Sequence, residues 1–166
     1  SSRITAIRIG STEGSGDAGT LGSALTGTYG KLTMKANGSY FYIADQAAAN
    51  ALAVGETATD VFNYTVTSGS QTDTALLTIT ITGENDAVIA VDDTDAVDED
   101  ATITRAVGDS QELDGDDTDD DTNDTTTILG IATGSGDSTV DGTVGSPLIG
   151  TYGTLTVNAD GSYTYS

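Results

Sequence analysis

Cysteine, histidine and tryptophan are all absent from this chain, proline occurs once, and lysine and arginine together number five. Each absence excludes something. Without cysteine there is no disulfide framework and no thiolate metal site. Without histidine, the Ser-His-Asp and Cys-His arrangements of nucleophilic catalysis cannot be assembled, and the commonest ligand of zinc and copper is missing. Five basic residues against 26 acidic ones leave a net charge of -21 over 166 residues. Phosphate backbones and anionic membrane surfaces are therefore repelled, and divalent cations are the natural counterions. No signal peptide and no run of about 20 apolar residues is present, so membrane insertion is not expected. An exported chain would carry its signal outside this sequence or have lost it.

What is there is unevenly spread. Residues 84 to 124 hold 17 of the 26 acidic residues, and residues 1 to 83 hold six. The densest stretch, LDGDDTDDDTND at 113–124, packs seven aspartates into twelve residues with no lysine or arginine among them. The flanks alternate apolar and polar residues as strands do, whereas a chain disordered by self-repulsion would be polar throughout. The pattern reads as two β-rich regions flanking an acidic junction. Together with much Gly, Thr, Ser and Asp, it fits an extracellular repeat protein better than a cytosolic enzyme.

Part of the chain occurs twice. LTGTYGKLTMKANGSYFY (25–42) and LIGTYGTLTVNADGSYTY (148–165) match at 12 of 18 positions with an offset of 123. ITAIRIG at Ile4 returns loosely as ILGIATG at Ile128, and GSGD recurs at 14–17 and 134–137, where a loop is expected. The repeat length is therefore about 123 residues. Residues 1–86 read as the C-terminal part of one repeat and 87–166 as the N-terminal part of the next, a window on a longer tandem array.

The local pattern is β. In the first copy Leu32 and Met34 alternate with polar residues, Asn37-Gly38 supplies a turn, and Tyr40 and Tyr42 resume the apolar face. The second copy keeps this with Leu155, Val157, Asp160-Gly161, Tyr163 and Tyr165. DVFNYTVTS puts Phe62, Tyr64 and Val66 on one face, and TALLTITIT does so with Ala75, Leu77, Ile79 and Ile81. The alanine-rich 44–52 region favours one short helix. Short strands between Gly, Asn and Asp turns predict an all-β Greek-key β-sandwich, with the tyrosines and Phe62 packing its core.

GTYGTLTVNADGSYTYS, ADQAAANALAVGETATDVFNYTVTSG and TALLTITITGENDAV resemble the VCBS-type, bacterial cadherin-like repeats of large surface adhesins and RTX-like proteins. The resemblance covers nearly the whole chain. It implies Ig/cadherin-like sandwiches strung in tandem at the bacterial cell surface, rigidified by Ca2+ and without enzymatic activity. It also implies a ligand set at the junction: Glu56 of VGET, Asn85 and Asp86 of GEND, and Asp117 and Asp119 of DDTDDD. Glu99 of VDED resembles the early-strand glutamate serving the second repeat's far end. Two positions depart from the pattern, Gly83 where a further aspartate is usual and Val88 where a proline often follows.

The chemistry points the same way without the family. Calcium takes six to eight oxygens, and Asp117, Asp119 and Asp121, with Asn123 and Asp124 following, can converge on one ion while alternate side chains point away. Asp92 and Asp93 are nearby candidates, and Asp114 and Asp120 read as surface charge. The partners implied are neighbouring repeats or subunits of the same protein, with surface glycans or other cells met through other domains. Two other functions are compatible with the sequence. One is a filament protomer whose incomplete domain is completed by strands from a neighbour. The other is a carbohydrate-binding module, disfavoured by the missing tryptophan. Paired carboxylates could serve glycoside chemistry, but they lie in a turn-rich stretch with no sign of a cleft.

Overall fold

The computed structural model describes residues 1–134 and 142–166. All but the first residue of the second GSGD stretch lies outside the described residues. The chain is all-β, with antiparallel sheets and, among the described residues, one four-residue helix. It divides into two compact units: Ser1–Asp86 with Asp121–Asn123, and Ala87–Asp120 with Asp124–Ser166.

In the first unit the elements run β1 (Arg3–Ile9), β2 (Ala18–Gly19), β3 (Ala24–Thr26), β4 (Lys31–Met34), β5 (Tyr40–Ile43), α1 (Ala47–Asn50), β6 (Thr57–Ser68) and β7 (Gln71–Thr82). They form two sheets, ordered β2-β1-β6-β7 and β3-β4-β5. The apolar alternation seen in the sequence is what joins them. Ile4, Ile7 and Phe62 of one sheet pack with Leu25, Leu32 and Met34 of the other, and Phe62 and Leu32 are fully buried. Burial of a side chain the size of Phe62 is worth about 2–3 kcal/mol before any cavity effect. A smaller cluster of Ala49, Leu52 and Ile81 closes one end under the helix.

The β6–β7 hairpin is the longest element, paired without interruption from Thr57↔Thr82 to Ser68↔Gln71. Its two-residue loop is Gly69-Ser70. Gly69 has φ +61° and Ser70 is not in the left-handed region, the pattern of a turn that wants glycine first. The expected helix shrinks to a single turn. Its N-cap position is Gln46, which makes no side-chain cap hydrogen bond, and Asp45 before it is bonded to Lys31 and to Gln46 Nε2.

The second unit holds β8 (Ile103–Arg105), β9 (Leu148–Ile149), β10 (Thr154–Val157) and β11 (Tyr163–Tyr165), in one sheet ordered β8-β11-β10-β9. The repeat is physical as well as textual. Leu25↔Leu32 and Met34↔Tyr40 in the first unit become Leu148↔Leu155 and Val157↔Tyr163 in the second, each shifted by 123. Both turns close alike: Asn37 Oδ1 and Asp160 Oδ1 each accept from the N–H and hydroxyl of the serine two residues on.

Three expectations differ from the structure. Tyr40 is 50% exposed and Tyr152 is 95% exposed, although the alternation put the tyrosines in the core. Neither has a covering strand among the described residues of its unit. The ILGIATG echo of β1 makes only a single bridge, Ile131↔Gly142. In the first unit β1 is held by β6, and the described residues of the second unit contain no counterpart of β6.

Candidate cation-binding groove

In the second unit the segment after Ala87 runs antiparallel to the acidic loop. Ile89 and Thr118 exchange backbone hydrogen bonds of 2.8 and 3.0 Å, and Val91 N–H donates to Asp117 Oδ1 at 2.8 Å. This pairing fixes Asp117 on one wall of a groove of about 520 Å³ that is also lined by Asp119, Asp124, Val88 and the threonines 125–127. Asp119 and Asp124 offer carboxylate oxygens within 4.8 Å of one another. Charge is crowded around this wall. Burial pushes the Asp93 carboxyl up, and the neighbouring charges of Asp116, Asp117 and Asp92 push it further. The polar side chains lining the groove offer only carboxylate and hydroxyl oxygens, a set suited to a hard divalent cation.

Four of the other expected ligands, Glu56, Asn85, Asp86 and Asp121, belong to the first unit. Glu56 is exposed at the start of β6, and its carboxylate accepts the Ala53 N–H at 3.2 Å. Asn85 is exposed and donates through Nδ2 to the Asp86 carbonyl at 2.6 Å. Asp86 N–H donates to Asp121 Oδ2 at 2.9 Å within the first unit, where Asp121 is buried and Thr122 Oγ1 donates to the Ala51 carbonyl at 2.9 Å. Glu99 is exposed and lines a different groove, beside Tyr152 and Tyr165. Asp120 is exposed and Asp114 half-buried against the Gly161 turn. Gly83 has a steric reason: a Cβ there would run into the carbonyls of Leu52 and Ala53, so no aspartate fits.

The sequence reading passed over two clusters. The first centres on Asp60, which is 4% exposed. Its carboxylate accepts the N–H groups of Thr28, Tyr29 and Gly30 at 2.9–3.2 Å and the Tyr42 hydroxyl at 2.6 Å. These bonds satisfy the backbone of the GTYG turn, and Gly27 and Gly30 leave no room for a side chain beside Asp60 and Tyr42. Burial, then the Asp60 bond and charge, push the Tyr42 hydroxyl well above its ordinary range. A signal was present: Asp60 is in phase with Phe62, Tyr64 and Val66, a charge on an apolar face. The second cluster is in the other unit. Asp95 accepts from Arg105 Nε and a second guanidinium nitrogen at 2.7 and 2.8 Å and from the Tyr163 hydroxyl at 2.6 Å. The Arg105 guanidinium, with Tyr163 and the Ala96 N–H, holds the Asp95 carboxyl well below the usual range.

Neither a family model nor a curated protein matches the chain. Among the described residues no helix is long and apolar enough to cross a membrane.

Proposed function

We propose that the chain is part of a tandem array of β-sandwich repeats, the calcium-stiffened stalk of a bacterial surface adhesin or extracellular fibre. One observation carries this reading: the same three-stranded meander is built twice at an offset of 123 residues, in register, with the same turn. Repetition of a non-catalytic unit is how a chain gains length, and length is the property a stalk needs. The acidic groove supports the calcium part. Asp117, Asp119 and Asp124 would hold the ion, which neutralises carboxylates that otherwise repel one another. Glu56, Asn85, Asp86 and Glu99 remain ligand candidates on the family resemblance, and Asp121 on its place in the alternating aspartates. No catalytic role is assigned.

Calcium titration of the chain, read by melting temperature and by maximum dimension in small-angle scattering, tests the reading. Millimolar calcium should raise the first and narrow the distribution of the second. If neither moves, the calcium-stiffened stalk is wrong.

A further inference from the structure

The two copies of the meander close on the same turn, with one difference that carries chemistry. In each, a three-residue loop ends on a left-handed glycine, Gly38 at φ +88° and Gly161 at φ +80°. Gly38 N–H donates to the Lys35 carbonyl at 2.9 Å, and Lys35 N–H to the Ser39 carbonyl at 2.8 Å. Gly161 with Asn158, and Asn158 with Ser162, repeat these bonds at 3.2 and 2.8 Å. The residue before the glycine is Asn37 in the first copy and Asp160 in the second. Its Oδ1 accepts two hydrogen bonds from the serine after the glycine: from Ser39 N–H at 3.0 Å and Oγ at 2.8 Å, and from those of Ser162 at 3.2 and 2.6 Å. The Ser162 hydroxyl, then its N–H, hold the Asp160 carboxyl below the usual range, so these donors favour negative charge on that oxygen. Asn37 is the one asparagine of the chain that precedes a glycine. Its side chain is exposed, and the exposure belongs to the turn itself. In the second unit Leu113 N–H donates to the Gly161 carbonyl at 3.1 Å and Asp114 lies against Gly161, yet Asp160 stays exposed.

We propose that Asn37-Gly38 is a self-modification site, at which the turn converts Asn37 into the aspartate that the second copy carries. The reaction needs only water. As the turn opens, the Gly38 N–H leaves the Lys35 carbonyl and gives its proton to solvent base. The nitrogen attacks Cγ of Asn37, and the side-chain amide oxygen takes the negative charge. The Cγ–Nδ2 bond then breaks, Nδ2 leaves as ammonia with a proton from solvent, and a five-membered succinimide remains. Water adds to the Cγ carbonyl of that ring, the bond from Cγ to the Gly38 nitrogen breaks, and the nitrogen recovers its proton. The sum is a carboxamide and water giving a carboxylate and ammonium, with nothing oxidised or reduced. Glycine is the neighbour this step wants, because no Cβ hinders its nitrogen. Ser39 supplies the other requirement. Its N–H and hydroxyl already converge on Oδ1, where the charge develops, at distances suited to an oxyanion. Water adding to the other ring carbonyl gives isoaspartate, which puts an extra carbon into the backbone between Lys35 and Ser39 and breaks their closing bonds. Aspartate leaves those bonds as they are around Asp160.

Neither calcium nor the array enters the test. The full chain is incubated in chelator at mildly alkaline pH, and samples taken over weeks are read by intact mass and peptide mapping. Amide loss at Asn37 should run about tenfold or more ahead of Asn50, Asn63, Asn85, Asn123 and Asn158, none of which precedes a glycine. Ser39→Ala should slow it about three- to tenfold, less than an enzyme's oxyanion hole gives because this one is open to water. Ser39 is exposed, so the variant should fold as the parent does. In guanidinium-unfolded chain the same substitution should change nothing, since the bonds to Oδ1 are gone. Asn37→Asp should keep the melting temperature and the turn amide shifts of the parent. Asn37 reacting no faster than the other asparagines would overturn the proposal. A folded Ser39→Ala rate equal to or above the parent's would overturn the role given to Ser39. An Asn37→Asp chain melting well below the parent would overturn the fit of the product.

Discussion

The Tyr42 hydroxyl donates a 2.6 Å hydrogen bond to Oδ2 of Asp60, the same oxygen that accepts the N–H groups of Tyr29 and Gly30. One buried carboxylate thereby ties β5, β6 and the turn between β3 and β4. Removing it strands four donors, three of them backbone. Asp60→Ala should cost about 3–5 kcal/mol, in the range for breaking a buried charged network. Asp60→Asn should cost less, since one amide oxygen still accepts. Urea unfolding measures both. A loss below about 1 kcal/mol for the alanine variant would show that water replaces the carboxylate without penalty.

Tyr42→Phe removes a single donor and should cost about 1–2 kcal/mol. The pH dependence has a definite sign. Burial and Asp60 raise the folded Tyr42 pKa above its ordinary value of 10.0, so the neutral phenol is the form the fold favours. The associated stability is complete below that value and is lost as pH rises above it, because the unfolded chain ionises first. Ultraviolet titration of phenolate should show Tyr42 lagging the exposed tyrosines together with Tyr163, whose hydroxyl is also raised by burial and Asp95, and Tyr42→Phe should remove Tyr42's share of the lag alone.

At the acid end Asp95 has the opposite sign. Its folded pKa lies below the ordinary 3.8, chiefly through Arg105. The stability it brings is present above that value and is lost as pH falls through the folded pKa. Arg105→Gln should raise the Asp95 titration midpoint seen by carboxyl ¹³C shifts. It should also speed exchange of the β8 amides severalfold. Unchanged exchange would mean that backbone pairing alone holds β8.

Neutralising the groove should act in two directions. The triple variant Asp117→Asn, Asp119→Asn, Asp124→Asn removes crowded like charge, so its melting temperature without calcium should rise by a few degrees. The same variant should lose most of its response to calcium, with affinity down at least tenfold. A parental calcium response in the triple variant would move the ion to other carboxylates, with Glu56, Asp86 and Asp121 the next to substitute.

The sheets were legible because their causes are local. Alternation marked Phe62 and Leu77, and Asn37-Gly38 and Asp160-Gly161 marked two turns that close as expected. Asp117 and Asp119 were legible as a pair because residues two apart in an extended stretch face the same way. The Asp60 network was not found, since its donors sit some 30 residues away in the GTYG turn and only the fold brings them together. Tyr40 misled for the reverse reason. Its alternation is genuine, but burial also needs a neighbour, and periodicity within one strand says nothing about what lies beside it.

The strand register of the first unit has a mechanical consequence. β1 and β7 are both antiparallel to β6, hence parallel to each other, with Arg3 level with Thr67 and Thr82 level with Thr57. Arg3 and Thr82 therefore sit at opposite ends of the sheet, about 34 Å apart at some 3.4 Å per residue. Tension applied between these two points slides β1 and β7 in opposite directions along β6. The ladder bonds are loaded together in shear and cannot be peeled one at a time, the arrangement that resists pulling best.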